Sequence, residues 1–329
     1  MSTRVLGTGG LLSAMLLLGS SASADGRNPG SLLIYPEYDS TPGRLTLLTV
    51  TNTNPDPQSG DIRVEIVFLN GAGAAPTLCT ESNVTVTLTP NDTLTFVASA
   101  LNPSFQQGYA YAFAKDVQGR AISFDWLIGD DLLLDGVNAL DYAINPISFD
   151  GVPAQGQPTD VDQDGIRDLN GNEYEQAPAK MRVPRFIGQA TPYQSSLILI
   201  NLSGGKQFTS MLDFLVYNDN EEVFSANYTF KCWKKLPLSS ISQSFSQDFL
   251  ANFTSHAAGE IVGATQVESG WFEIDGNLAW SSSLEIQDPA FLAVLTERTA
   301  SYAGAEVSFE MGKQANGDLL PLGPFGDSN

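Results

Sequence analysis

Between Asp160 and Glu175 the chain reads Asp160-Val161-Asp162-Gln163-Asp164-Gly165-Ile166-Arg167-Asp168, then Leu169-Asn170-Gly171-Asn172-Glu173-Tyr174-Glu175. No other segment has a residue spacing that specifies a chemistry. A hard cation of calcium's size takes about six to eight oxygens, and a chain supplies them most compactly from alternate positions of a tight loop, with glycine where the turn needs a positive φ. Asp160, Asp162 and Asp164 fill positions one, three and five; Gly165 is sixth, the carbonyl of Ile166 seventh and Asp168 ninth. An EF-hand loop would carry a bidentate Glu at position twelve and an apolar residue at eight, where this chain has Gly171 and Arg167. Reading Leu169-Asn170 as a two-residue insertion lets Glu173 close the sphere, with Glu175 or a water as the fallback.

The pattern Asp-x-Asp-x-Asp-Gly-Ile-x-Asp resembles the thrombospondin type 3 repeats and related bacterial calcium loops that serve as linkers between extracellular β domains. The resemblance spans roughly residues 159–175. It implies calcium as the bound ion, held by Asp160, Asp162, Asp164, the Ile166 carbonyl and Asp168, and leaves the last ligand open between Glu173, Glu175 and a water. More loosely, the flanking halves resemble uncharacterised exported bacterial β-sandwich proteins, a resemblance that carries no function.

What must position such a loop is a β framework. From Ser31 to about Asp150, short alternating runs are separated by Gly, Pro, Asn and Asp. Ile62, Val64, Ile66 and Phe68 alternate with Arg63 and Glu65, and Val84, Val86 and Leu88 with Thr85, Thr87 and Thr89, as half-buried strands require. Tyr109, Tyr111 and Phe113 alternate with Ala110, Ala112 and Ala114, and the turn at Asp116–Gly119 predicts a hairpin. The same grammar resumes at Met181 and runs to Gly312. Runs ending in Asn52 and Asn70 have counterparts ending in Asn201 and Asn218, and Gly108-Tyr109 has a counterpart in Gly270-Trp271, with a second hairpin expected at Gly276. This is a degenerate internal repeat.

The expected fold is therefore all-β: two antiparallel, Ig-like β-sandwich domains at 25–150 and 181–315, joined by an acidic calcium-binding linker at 151–180 and followed by a tail at 316–329. Residues 1–24 read as a signal peptide, with Arg4, the apolar run Leu11 to Leu18 and the small-x-small site Ala22-Ser23-Ala24. Without them, 15 cationic side chains face 37 carboxylates, a net charge of −22. Such a field repels nucleic acid and anionic lipid and attracts divalent cations. No second apolar run is long enough to span a bilayer, so membrane insertion is not expected. Placed at equivalent points of the two repeats, Cys79 and Cys232 read as separate buried thiols.

Other groups could carry chemistry. The single His256 lies in a Ser/Thr-rich segment without a nucleophile elbow, and reads as an exposed residue. Glu273 and Asp275 share a strand face near Trp271 and Trp280 and could be imagined as a glycosidase pair, although strands carry such pairs routinely. Trp126, Trp233, Trp271 and Trp280 could stack on sugars; Trp271 and Trp126 sit in alternating runs that predict burial, whereas Trp233, among Lys231, Lys234 and Lys235, reads as exposed beside a basic patch. The expected function is an exported, non-enzymatic, calcium-binding protein, secreted or at the cell surface, with a structural or adhesive role. Its expected partner is a cell-surface glycan or protein. The alternative is a carbohydrate-binding module, and an extracellular hydrolase ranks below both.

Overall fold

The alternating runs of the first half become nine strands in the computed structural model, which describes residues 28–58, 60–72, 78–190, 192–218, 220–253 and 267–319. They are β1 (Leu32–Asp39), β2 (Arg44–Asn52), β3 (Ile62–Asn70), β4 (Glu81–Leu88), β5 (Thr93–Val97), β6 (Gln107–Lys115), β7 (Leu127–Asp135), β8 (Leu140–Ile144) and β9 (Ile147–Phe149). Two antiparallel sheets result, ordered β4-β3-β6-β1-β9 and β5-β2-β7-β8. Leu33, Tyr35, Ile66, Phe68 and Ala112 of the first sheet share a core with Leu48, Val50 and Leu127 of the second. This is a β-sandwich.

Short strands β10 (Arg167–Leu169) and β11 (Ala177–Pro178) follow. The second half then contributes β12 (Lys180–Ile187), β13 (Gln194–Asn201), β14 (Thr209–Asn218), β15 (Val223–Phe230), β16 (Trp233–Pro237), β17 (Ser269–Trp280), β18 (Glu285–Gln287), β19 (Phe291–Arg298), β20 (Ala303–Val307) and β21 (Phe309–Glu310). Its sheets are ordered β15-β14-β17-β12-β21, with β18 added on β17, and β16-β13-β19-β20; apart from β18 they match the first half strand for strand. Even the irregularities match. Register slips between Tyr35 and Tyr38 in β1 and between Val183 and Phe186 in β12, each enclosing a proline, Pro36 or Pro184; proline cannot donate to a ladder and is tolerated at a bulge. Asn70 faces Gly108 as Asn218 faces Gly270.

Two details of the expected repeat need correction. Gly276 does not open a hairpin: β17 runs through it to Trp280. After the turn at Gly119 the chain makes only one bridge back, Lys115 to Ala121, and then crosses to the other sheet as β7.

The halves differ in what their equivalent sheets face. In β4-β3-β6-β1-β9, Leu32, Ile34, Val67, Tyr111 and Phe113 point away from their own sandwich, yet all are buried, in one apolar cluster with β13 and β19 of the second half. Strand β13 is correspondingly buried on both faces through Leu197, Ile198, Leu199 and Ile200. At the matching positions of the second half the cross-strand pairs Leu32/Phe113 and Ile34/Tyr111 become Lys180/Asp275 and Arg182/Glu273. That face carries ion pairs from Lys180 and Arg182 to Glu273 and from Lys313 to Asp275. One repeat uses the face as a core; the other dresses it for water.

Because the halves fold back on each other, the reading of the cysteines and of Trp233 is also corrected. Cys79 and Cys232 are joined in a disulfide, their Cα atoms 5.8 Å apart. They are not equivalent positions: Cys79 precedes β4, whereas Cys232 follows β15, the counterpart of β4. Trp233 is buried, and its indole Nε1–H donates to the carbonyl of Pro36 at the β1 bulge, 2.8 Å away. Gly71 makes room for it, since a Cβ there would lie 2.4 Å from the indole ring. Lys235 is no free basic group: its Nζ donates to both oxygens of the buried Glu37, at 2.8 and 2.9 Å, and to Tyr142 Oη at 2.6 Å, and Tyr142 donates to Glu37.

Beside this network Asp131 is fully buried, and burial, with the charge of Glu37 adding to it, pushes its carboxyl well above the usual range. A folded-state pKa raised above the unfolded value near 3.8 means the native state holds a proton the unfolded chain has lost, so stability falls as pH rises above that value. Asp131→Asn should flatten this decline and raise the melting temperature relative to wild type at pH 8, read from thermal unfolding across pH 4 to 8. Replacing Cys79 or Cys232 by Ser should each cost about 2–4 kcal/mol in denaturant unfolding, with the double variant no worse than either single one.

Candidate metal centre

The acidic loop spans the connection between the halves, and the chain holds it from both sides. Downstream, Leu169, Tyr174 and Ala177 are buried in the shared apolar cluster. Thr159 Oγ1, just upstream, meets Tyr174 Oη at 2.9 Å. Two short strands pack against this segment: β22 (Gln314–Ala315), at the end of the expected second domain, pairs with β11, and β23 (Gly317–Leu319), in the segment expected as a tail, pairs with β10. Leu169, Tyr174 and Ala177 thus anchor the segment in the core.

Within the loop, carboxylates accept backbone N–H groups and so curl the chain around themselves. Asp162 Oδ1 accepts from Asp164 N at 3.2 Å, Asp164 Oδ1 from Ile166 N at 2.8 Å, and Asp160 Oδ2 from Gly165 N at 3.2 Å. Gly165 has φ +79, the left-handed conformation that position six requires. Glu173 returns to the loop start: Oε1 accepts from Val161 N at 2.6 Å and Oε2 from Asp168 N at 3.2 Å. The ligand-capable oxygens of Asp160, Asp162 and Glu173 lie within 4.8 Å of one another, as do those of Asp162, Asp164 and Asp168. Ile166 sits between these groups in sequence. Glu175 turns instead to the N–H of Asp150, at 3.2 Å.

Two participants were not legible beforehand. Arg167, the mismatch at position eight, is buried; it donates to the Gly165 carbonyl at 2.7 Å, approaches Asp160 at 3.9 Å, and lies over the Phe113 ring, 5.0 Å from its centroid. It anchors the loop on the first sandwich. Asp318 stands opposite Asp168 in the β10/β23 pair, and no spacing in the C-terminal segment could have linked the two.

Electrostatically the loop is incomplete. Burial and then the charges of Asp318, Glu173, Asp164 and Asp162 push Asp168 up to about 7. Glu173 is also raised by burial, against the two N–H groups that favour its charged form. Asp160 Oδ1 is buried without a hydrogen-bond partner, which costs free energy unless something else supplies the positive charge. A hard cation fits: the donors are all oxygens, acidic and clustered, and Asp160 Oδ1 has no partner of its own.

The other candidate groups fare differently. Glu273 is held below the usual carboxylate range, chiefly by its hydrogen bond from Arg182, so it is no reservoir of a catalytic proton. Asp275 is paired with Lys313. The Trp271 ring is stacked on Tyr217 at 4.0 Å, and Arg182 lies 5.0 Å from its centroid, which leaves little of either face for a sugar. Against expectation Trp126 is exposed, and Trp280 is half-buried. His256 lies outside the described residues.

No protein-family model matches the chain, and no curated protein matches it. Among solved structures it is similar to the Thermotoga maritima 1070 protein, at 15% identity over 38% of this chain and 98% of that one, with a TM-score of 0.29. It is also similar to the naturally occurring empty particles of cowpea mosaic virus, at 9% identity over 91% of this chain and 95% of that one, with a TM-score of 0.16. For broad bean stain virus the values are 8% identity, 92% and 95% coverage, and 0.18. Likeness at this level carries no argument about fold or function.

Removing the hydrogen bonds that return Glu173 to the loop should open it. Glu173→Ala is expected to weaken binding of a divalent cation by about tenfold or more, measured calorimetrically, while leaving the far-ultraviolet circular dichroism unchanged.

Proposed function

We propose that this is an exported, non-enzymatic β-sandwich protein with a structural or adhesive role, in which a calcium ion orders the loop Asp160–Glu173. The observation that carries the calcium reading is the convergence of five carboxylates, Asp160, Asp162, Asp164, Asp168 and Glu173, with a buried, unpartnered oxygen on Asp160. Calcium suits this set better than magnesium, which keeps much of its water and engages only one or two carboxylates. Export is supported by the disulfide Cys79–Cys232, a bond that persists in oxidising compartments. Among the described residues no helix is long and apolar enough to cross a membrane.

The non-catalytic reading rests on what surrounds the acids. Their oxygens are occupied with backbone N–H groups, and Arg167 is buried in structural contacts. At an affinity of about 10⁻⁴ to 10⁻³ M, typical of extracellular sites, millimolar calcium adds about 0.4 to 1.4 kcal/mol. That is enough to order a loop and too little to hold two sandwiches together.

Calorimetric titration should give a calcium isotherm for the wild type that Asp162→Ala combined with Asp164→Ala abolishes. Magnesium should compete poorly. Absence of calcium binding, or binding indifferent to those substitutions, would refute the reading.

A further inference from the structure

Strand β15 closes one edge of its sheet, and among the described residues its only strand neighbour is β14. That pairing runs without a register slip from Val223 to Phe230, so the far side presents a regular row of backbone N–H and C=O groups. Such an edge is a template for another strand, and natural sheets blunt it with charge, proline or a bulge. Val223–Phe230 has none of these. The other edges are blunted or short. Strand β4, of equal length, opens with Glu81; β16 carries Lys234, Lys235 and Pro237; β8 contains Asp141 and β20 Glu306. Strands β5, β9 and β21 have five, three and two residues.

The strand also fits itself. Laid antiparallel on a second copy about a two-fold axis at Ala226, it sets Ser225 opposite Asn227, Phe224 opposite Tyr228 and Val223 opposite Thr229. Opposed residues of an antiparallel pair share a face, so the exposed Val223, Ser225, Asn227 and Thr229 meet one another, as do the half-buried Phe224, Ala226 and Tyr228. The second row already packs at the margin of the core. A copy of itself extends that margin with an aromatic pair on either side of the axis, a cross-strand contact that stabilises sheets. The strand ends are complementary in charge: Glu221 and Glu222 precede β15 and Lys231 follows it. An antiparallel partner brings each Lys231 to the Glu221–Glu222 turn of the other copy, whereas a parallel one would set like ends together. On a chain of net charge −21, this uncharged edge is where two copies meet least repulsion.

We propose that two copies of this chain join through β15, paired antiparallel about a two-fold axis so that one sheet runs continuously through both. The interface is isologous, and each contact off the axis occurs twice. Backbone hydrogen bonds supply the attachment, and the side-chain pairs select the register. Ion pairs among Lys180, Arg182 and Glu273 keep the outer face of this sheet from acting as a core, while its edge remains open to lateral growth. The pairing does not depend on the calcium reading. It deepens the adhesive role, because two copies held side by side present every surface contact twice, and linked contacts hold a repetitive partner more tightly than either alone.

The test uses the full chain and two double variants at exposed positions. Ser225→Lys with Asn227→Lys sets like charges directly opposite each other across the pair, whereas Ser225→Glu with Asn227→Lys sets opposite charges there. Sedimentation equilibrium should show a concentration-dependent dimer for the wild type. The first variant should raise the dimer's dissociation constant about tenfold or more, and the second should leave it no weaker than wild type. A wild type that stays monomeric at every concentration, or a dimer that responds alike to both variants, overturns the proposal and leaves the calcium reading untouched. Should either variant fail to fold, amide hydrogen exchange of residues 223–230 in the wild type decides: protection that rises with protein concentration supports the pairing, and protection independent of concentration overturns it.

Discussion

The architecture depends on the second face of the β4-β3-β6-β1-β9 sheet, which is apolar and must be covered. Leu32, Ile34, Tyr111 and Phe113 project from it, and burying side chains of this kind contributes roughly 1.5–3 kcal/mol each. Together they outweigh the disulfide, at about 2–4 kcal/mol. The disulfide, the Trp233 indole on Pro36 and the Lys235–Glu37–Tyr142 network then fix how the second half lies on the first. The halves are therefore one body, and the loop between them is an exposed corner of it, anchored by Leu169 and Tyr174.

A repeat stacked on itself must stop somewhere, and the outward face of the second half shows how. If Lys180, Arg182, Glu273 and Asp275 were apolar, like Leu32, Ile34, Tyr111 and Phe113 at the matching positions, the molecule would present a sticky sheet to a further copy. Opposed charges on neighbouring strands instead satisfy each other and remain hydrated. Surface pairs of this sort add little stability. Their effect is to keep the face from acting as a core.

Much of this was legible in the sequence where the physics is local. Alternation in Ile62–Phe68 and Val84–Leu88 marks strands because a period of two puts every second side chain on one face, and the repeat emerged from Asn70, Asn218, Gly108 and Gly270 because their register recurs. What could not be read was long-range. Alternation gives each strand two faces without saying which lies against another domain, so Trp233 among lysines read as exposed, and Cys79 and Cys232 as unpaired. The same limit applies to the loop. Its acids stood out by spacing, whereas Asp318 reaches Asp168 only through a strand pairing across 150 residues, counting from 168 to 318, and Arg167 looked like a defect until Phe113 was placed beneath it.

The loop is thus a local device on a rigid body: acids crowded at a corner that could hold a metal ion. Small-angle scattering of the disulfide-intact protein, with calcium and with chelator, tests this most directly. The radius of gyration and the pair-distance distribution should be the same in both. A chelator-induced lengthening of the particle, with a second maximum from separated halves, would contradict it.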